Sequence, residues 1–289
     1  MITVLHSYSF RNYPLEHILR FAELDGWSAI ELSGWHFDAD NAHGDIGAAV
    51  KAAQRRGVTI HCAGYYGDFV TSDRSARRDA IDRVRRVIDA SATNGVRLVN
   101  GFGGWLQGGN PDDWAGNGSR MAGQEHFQRA AEAYHELAAY AAGRGVRIGI
   151  EVHPNTIHDT METTARLIKL ADHDNISITV DPANAAAINT EDREPGVLGI
   201  APEMVSYFHL KNCLVRDGYT DLTVGTEEGI IDNYRWLEKI TRMPQVEAVC
   251  LEYCGDGDPH PRLRTARGYL DATLRMIDAT LQMIDATAK

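Results

Sequence analysis

The stretch Arg144-Gly145-Val146-Arg147-Ile148-Gly149-Ile150-Glu151-Val152-His153-Pro154 runs from a helix stop through a buried strand to a pair of ionisable side chains. Glycine accepts the left-handed conformation that closes a helix, so Gly145 marks the end of an amphipathic segment over 121–143. The run 146–152 is almost continuously apolar, which suits a parallel strand covered on both faces better than the alternating strand of an antiparallel sandwich. Glu151 and His153 stand two residues apart, hence on one side of an extended chain.

The same pattern repeats outward in both directions. Arg56-Gly57-Val58 and Asn94-Gly95-Val96 carry the same stop-then-strand sequence. Short apolar runs fall at 2–5, 28–32, 58–62, 96–99, 146–152, 176–180, 205–210 and 247–252. Helical patterns separate them at 14–25, 45–56, 73–93, 121–143, 160–172, more weakly near 196–203, at 230–241 and from 262 onward. Length alone, 289 residues, allows two small domains or one large barrel. Eight strand–helix units with no linker between them, and no Gly-x-Gly-x-x-Gly after the first run, predict an α/β chain folded as a single (β/α)8 TIM barrel over residues 1–289 rather than an open doubly wound sheet.

Composition narrows the function. With 44% hydrophobic and 24% charged residues the chain has the balance of a soluble globular protein. The 29 lysines and arginines against 40 aspartates and glutamates leave a net charge of −11, which argues against nucleic acid and membrane surfaces as partners. No secretory leader or long apolar span is read, and Cys62, Cys213, Cys250 and Cys254 form no Cys-x-x-Cys pair, so a cytoplasmic protein with free thiols is expected. The irregular stretch Gly101 to Ser119, rich in glycine and tryptophan, is expected to lie over the barrel mouth as a lid. A seven-residue repeat near the C-terminus aligns Leu274, Ile277, Leu281 and Ile284 as the packing stripe of the last helix.

The apolar runs end in polar or ionisable residues: His6, Glu31, His61, Asn100, Glu151 with His153, Asp181, His209 and Glu252. A barrel gathers all of these at one mouth, and buried carboxylates there are costly unless a cation or hydrogen bonds compensate. Glu151, Asp181, His209 and Glu252 come from four successive units and form a mostly hard donor set. One divalent ion is expected on them, Mn2+ first, with Mg2+ or Co2+ as alternatives.

At these residues the chain resembles the sugar phosphate isomerase/epimerase superfamily, the xylose-isomerase-like TIM barrels that include ketose 3-epimerases, hydroxypyruvate and inosose isomerases, dehydratases and endonuclease IV. Phe208-His209-Leu210-Lys211-Asn212 is similar to the family's His-x-Lys-Asp signature, with Asn212 in place of aspartate; Asn184 stands where a histidine often follows the strand-six aspartate. The resemblance implies a metal-dependent isomerase or epimerase of a keto-sugar or related polyhydroxy ketone, working by α-proton transfer through a metal-bound enediolate. It implies Glu151 and Glu252 as the proton-exchanging pair, with His153 as the alternative base. A lyase on the same scaffold is the second reading: a C- or O-deglycosidase of 3-keto-glycosides, or an inosose- or dehydroshikimate-type dehydratase. His6, Glu31, His61, Asn184, Lys211 and Arg216 are expected to contact the carbohydrate, and Trp35, Tyr65, Tyr66, Phe102, Trp105 and Trp114 to form an apolar wall. A nuclease of the endonuclease IV kind is disfavoured by the acidic balance, and a homo-oligomer is compatible with the family.

Overall fold

In the computed structural model, which describes residues 1–216 and 219–287 with side chains through Met283, the apolar runs become parallel strands. These are β1 (Ile2–His6), β2 (Ala29–Leu32), β3 (Thr59–Gly67), β4 (Leu98–Gly103), β5 (Arg147–Glu151), β6 (Ile176–Val180) and β7 (Val205–Leu210). A short antiparallel pair, β8 (Leu214–Arg216) and β9 (Tyr219–Asp221), follows β7, and β10 (Ala248–Leu251) completes the sheet. Each barrel strand pairs with its neighbour, and β10 pairs with both β7 and β1, so the sheet closes into a TIM barrel as expected.

Around it lie α1 (Leu15–Leu24), α2 (Ala42–Gln54), α3 (Arg74–Thr93), α4 (Gln124–Ala142), α5 (Met161–Ala171), α6 (Pro182–Ile188), α7 (Asn233–Ile240) and α8 (Pro259–Thr287). Gly57 (φ +69), Gly95 (φ +77) and Gly145 (φ +65) hold the left-handed conformation that stops α2, α3 and α4. Large buried side chains such as Phe69, Phe127, Tyr134, Phe208 and Trp236 belong to the main core. Inside the sheet, alternate residues form a smaller cluster of Val4, Ala29, Cys62, Tyr207, Ala248 and Cys250. Two positions further along the same faces come His6, Glu31, His209 and Glu252, so the period of two carries each strand from an apolar plug to a polar mouth.

Three expectations change. The weak helix near 196–203 is a pair of 3-10 turns, Pro195–Ile200 and Pro202–Met204, because glycine and proline interrupt any longer helix. The helix that follows β6 is instead α6, started by Asp181 as N-cap and Pro182 at its first position. Strand β3 continues to Gly67, five residues past its expected end. In α8, Ile277 is buried and Leu274 and Leu281 pack on the core, as the repeat predicts; the Ile284 side chain lies outside the described residues. Among the described residues no helix is long and apolar enough to cross a membrane.

Candidate active site

Glu151 closes β5, Asp181 follows β6, His209 lies in β7 and Glu252 follows β10. All four are buried, and each offers a ligand atom within 4.8 Å of the others. Asp181 is held by the start of α6: its Oδ1 accepts from the Asn184 backbone N–H at 2.9 Å, which leaves Oδ2 for the cluster. Asn184 also donates its side-chain amide to Glu151 Oε1 at 3.1 Å and to the Val152 carbonyl at 3.0 Å. The residue standing where a histidine often occurs thus orients two of the four acidic and imidazole groups.

His209 is fully buried. Its Nε2 lies 3.0 Å from Glu31 Oε2, and its Nδ1 lies 3.4 Å from Glu151 Oε1 and makes no hydrogen bond among the described residues. A carboxylate only accepts, so Nε2 carries a proton and Nδ1 is the face left for another partner. Asp181 Oδ2 likewise makes no hydrogen bond among the described residues, although the Lys211 ammonium approaches it to 2.8 Å. Two buried polar atoms left over within one set of three carboxylates and an imidazole fit a hard divalent cation as the group that completes them.

Lys211 also reaches Glu252 Oε2 at 2.6 Å. Burial alone raises a carboxyl pKa, but Lys211, His6 and His209 outweigh it at Glu252 and hold that group down at about 2. At Asp181 burial prevails over Lys211, with Glu151 and Glu252 adding repulsion, and the pKa rises to about 6. Glu31 is also opposed by burial, yet His209 and His6 keep it well below the usual carboxylate range. His6 accepts the Tyr8 backbone N–H on Nδ1 at 3.0 Å and turns Nε2 toward Glu31 (3.6 Å) and Glu252 (3.9 Å).

Above this floor opens a cavity of about 860 Å³, lined by His6, Glu31, Glu151, His153, Asn184, Lys211 and Glu252 together with many aromatic rings. His153 stacks on Phe102 with centroids 3.8 Å apart and planes 20° apart. Its Nδ1 donates to the Pro154 carbonyl at 2.8 Å, which leaves Nε2 with the lone pair. Burial lowers its pKa and favours that neutral form.

Two expected substrate contacts fall outside the cavity. His61 lies against Tyr207, ring centroids 5.3 Å apart, because β3 runs on to Gly67 and a register shift at Ile30/Glu31 sets His61 back from the mouth; Gly64 and Tyr66 line the cavity in its place. Arg216 ends β8 exposed to solvent, and Tyr219, Thr220, Leu222 and Thr223 from the following segment line the cavity instead. Tyr65 is no wall residue: its hydroxyl is buried and donates to the Gly149 carbonyl at 3.1 Å. The expected lid stretch does reach the cavity through Trp105, Asp112 and Trp114.

Asn212 explains its own departure from the aspartate signature. Its amide donates to the Thr226 and Ile231 carbonyls and its Oδ1 accepts from the Cys213 and Ile231 N–H groups, and aspartate has no N–H for the first two. Asn100, in the sequence only the end of an apolar run, donates to Glu31 Oε1 at 3.0 Å. Tyr8, in the turn after β1, gave no signal in the sequence.

A model of the family described as "Xylose isomerase-like TIM barrel" matches residues 19–273. Among solved structures, L-ribulose 3-epimerase is similar at 18% identity over 100% of both chains, with a TM-score of 0.81. The probable 3-DHS dehydratase AsbF, involved in petrobactin synthesis in Bacillus anthracis, is similar at 19% identity, covering 94% of this chain and 99% of that one, with a TM-score of 0.75. The IOLI protein, solved with a binding zinc atom, is similar at 16% identity, covering 96% of this chain and 99% of that one, with a TM-score of 0.76. At these identities the likeness is one of fold. No curated protein matches the chain.

Proposed function

Given that the chain belongs to the xylose isomerase-like TIM-barrel family, we propose that it is an isomerase or epimerase of a keto-sugar or related polyhydroxy ketone, working with one divalent cation. The observation that carries this reading is the buried set Glu151, Asp181, His209 and Glu252 at the base of the cavity, with His209 Nδ1 making no hydrogen bond among the described residues. These four residues would hold the ion, Mn2+ in first place, with Mg2+ or Co2+ as alternatives; the zinc in the IOLI structure supports a cation site in this fold. A cation held there supplies Lewis acidity toward a carbonyl oxygen and offsets the charge that develops on it.

The chain's own groups do the rest. Glu151 and Glu252 have pKa values lowered against burial, Glu151 chiefly by His209 and Glu252 chiefly by Lys211, so both stand ready as bases. One takes the hydrogen from the carbon beside the carbonyl. Return of the abstracted proton to the neighbouring carbon gives an isomer; an epimer needs a proton delivered to the opposite face by the other glutamate after it has taken one from solvent, while the first glutamate releases its own to solvent. Lys211 and His6 present N–H donors at the edge of the same cluster, suited to substrate hydroxyls.

A second reading, the lyase, is favoured by His153. Its free Nε2 belongs to a neutral ring outside the four-residue donor set, so it is a separate base for a reaction in which α-proton removal is followed by loss of a β-substituent. Incubation with Mn2+ and a panel of keto-sugars, scored for epimer, isomer, released water and released aglycone, separates the two. Loss of turnover in Glu151→Gln and Glu252→Gln is expected for both readings, whereas His153→Ala is expected to abolish only the lyase. Full activity in both glutamate variants refutes the assignment. The four free thiols accord with a reducing compartment such as the cytoplasm.

A further inference from the structure

A TIM barrel that takes an anionic substrate commonly draws on backbone N–H groups in the loops after its last two strands, and on free lysine or arginine side chains nearby. This chain has already used both. After β7, Asn212 Oδ1 accepts from the Cys213 and Ile231 N–H groups at 2.9 Å each. In the same loop Asp221 Oδ1 accepts from the Thr223 N–H at 2.8 Å, and Glu228 Oε2 accepts from the Gly225 N–H at 2.9 Å. After β10, Ser9 Oγ accepts from the Tyr253 N–H at 2.9 Å, and Asp258 Oδ1 accepts from the His260 N–H at 3.0 Å. Three of these acceptors are carboxylates, so the loops carry their own anions where a phosphate would otherwise be cradled.

The cations are committed as well. Among the described residues that line the cavity, Lys211 is the one lysine or arginine. Its ammonium lies 2.8 Å from Asp181 Oδ2 and 2.6 Å from Glu252 Oε2. Arg11, stacked over the Tyr8 ring, is paired with Asp256 and donates to the Cys254 and Gly255 carbonyls. Against these stand Glu31, Asp112, Glu151 and Glu252 on the cavity wall and Asp181 in the cluster with them. A divalent ion and Lys211 supply three positive charges against these five carboxylates, and a proton on His6 would not reverse the sign. The mouth therefore stays negative when loaded, and a charged group inside a protein feels such a field far more than it would in water.

Resting on the reading that a polyhydroxy ketone binds at the cluster, we propose that the site selects its substrate by charge: the substrate class is an uncharged polyhydroxy ketone, bearing neither phosphate nor carboxylate, and Asp112 and Asp221 are specificity-determining residues that turn anions away. Asp112 lines the cavity, and Asp221 stands between the cavity-lining Thr220 and Leu222. Lys211 fits the same class. An ammonium has three N–H donors, and the one left after Asp181 and Glu252 suits a neutral hydroxyl. A dehydroshikimate-type substrate, which carries a carboxylate, falls outside it.

The test is calorimetric titration of the Mn2+-loaded protein with the D-2-ketohexoses and their 6-phosphates. At low ionic strength each 6-phosphate is expected to bind at least about tenfold more weakly than its parent sugar. The gap is expected to narrow in about 0.5 M NaCl, because salt screens repulsion and leaves steric bulk unchanged. In the double variant Asp112→Asn, Asp221→Asn, with folding checked by circular dichroism, the gap is expected to narrow severalfold at low salt. A 6-phosphate that binds as tightly as its parent sugar, or a gap that salt does not move, overturns selection by charge, while binding of the sugar leaves the ketone reading standing. A gap that persists in the folded double variant overturns the role of the two aspartates. Binding of no sugar and no phosphate overturns the ketone reading and the selection together.

Discussion

Glu31 Oε2 stands 3.0 Å from Nε2 of His209, and this contact decides which nitrogen of the imidazole can serve a cation. The carboxylate draws the proton to Nε2, so Nδ1 presents its lone pair toward Glu151 and its neighbours. Asn100 holds the other Glu31 oxygen, and the Thr179 hydroxyl donates to Asn100 in turn. Glu31, expected from sequence to touch substrate, lines the cavity and is also placed where it would position His209. Glu31→Gln preserves shape but removes the charge that fixes the tautomer. Its affinity for Mn2+ is expected to fall by about 10- to 100-fold with the fold retained; an unchanged affinity in isothermal titration counts against this role.

His209→Ala and Glu252→Gln should separate holding the ion from moving the proton. His209 is deep in the barrel and beyond reach of solvent, so its loss is expected to lower metal content, measured by elemental analysis after dialysis. Glu252 borders the cavity and keeps an oxygen 2.6 Å from Lys211. Glu252→Gln is expected to cost at least about 100-fold in kcat, the lower bound for removing a general acid–base group. If Glu252→Gln turns over normally, Glu252 has no part in proton transfer.

Stripping the ion should also lower thermal stability, because Glu151, Asp181, Glu252 and Glu31 would then crowd together with only Lys211 and the histidines to balance them. At a free ion concentration about 100 times Kd, binding stabilises by about 2.7 kcal/mol. For a chain of this size that is roughly 5–10 °C in Tm. A melting curve that does not move when a chelator is added and Mn2+ is then restored is incompatible with a site at this cluster.

Much of the site was legible because it depends on periodicity. Each strand deposits its last inward residue at the mouth, so Glu151, Asp181, His209 and Glu252 could be picked out from the ends of apolar runs. His61 falls outside the cavity because the strand runs on beyond Cys62, where the apolar run ends. Gly64 instead continues β3, in a place where an added Cβ would lie 3.3 Å from the Leu32 carbonyl oxygen and 3.1 Å from the Gly34 nitrogen. The helix α6 carried its start signal in Asp181-Pro182, but its seven residues are too few to show a helical period. Residues 219–223 and Tyr8 reach the cavity only through tertiary packing, which leaves no local trace in sequence.

Gly101 permits the close pairing of β3 and β4 at the lip of the cavity. A Cβ there would lie 2.1 Å from the Tyr65 carbonyl oxygen and 2.9 Å from its nitrogen, and backbone cannot swing aside as a side chain can. Gly57 is the contrast, with φ +69 and open space around it. Gly101→Ala is expected to destabilise by at least about 1–3 kcal/mol through overpacking, and to disturb Phe102 next to it. Gly57→Ala should cost only about 1 kcal/mol of backbone strain and leave ligand binding intact. Denaturant unfolding of both variants, with ligand titration on the folded protein, tests the ordering; equal costs would show that the strands separate freely at Gly101.

Asp192 gives a pH dependence that can be measured apart from catalysis. It sits in the 3-10 turn Thr190–Arg193 beyond α6, where burial raises its pKa from 3.8 to about 6; Asn189 donates to Oδ1 at 3.1 Å but Glu162, Asp159 and Glu191 repel the charged form. A carboxyl whose folded pKa exceeds its unfolded value binds protons more tightly in the folded state. Its contribution to stability is therefore fully present below pH 3.8 and is lost as pH rises through about 6. The full shift corresponds to about 3 kcal/mol, reduced to roughly 1–2 kcal/mol for a group only partly shielded from water. Asp192→Asn keeps an acceptor for Asn189 and has no charge to bury. Its stability relative to the unaltered chain is expected to be nearly level at pH 4 and to climb by roughly 1–2 kcal/mol by pH 7. Paired denaturant melts at those two pH values read the difference directly, and a variant that instead loses relative stability as the pH rises would mean that the aspartate is stabilised in its charged form by a partner.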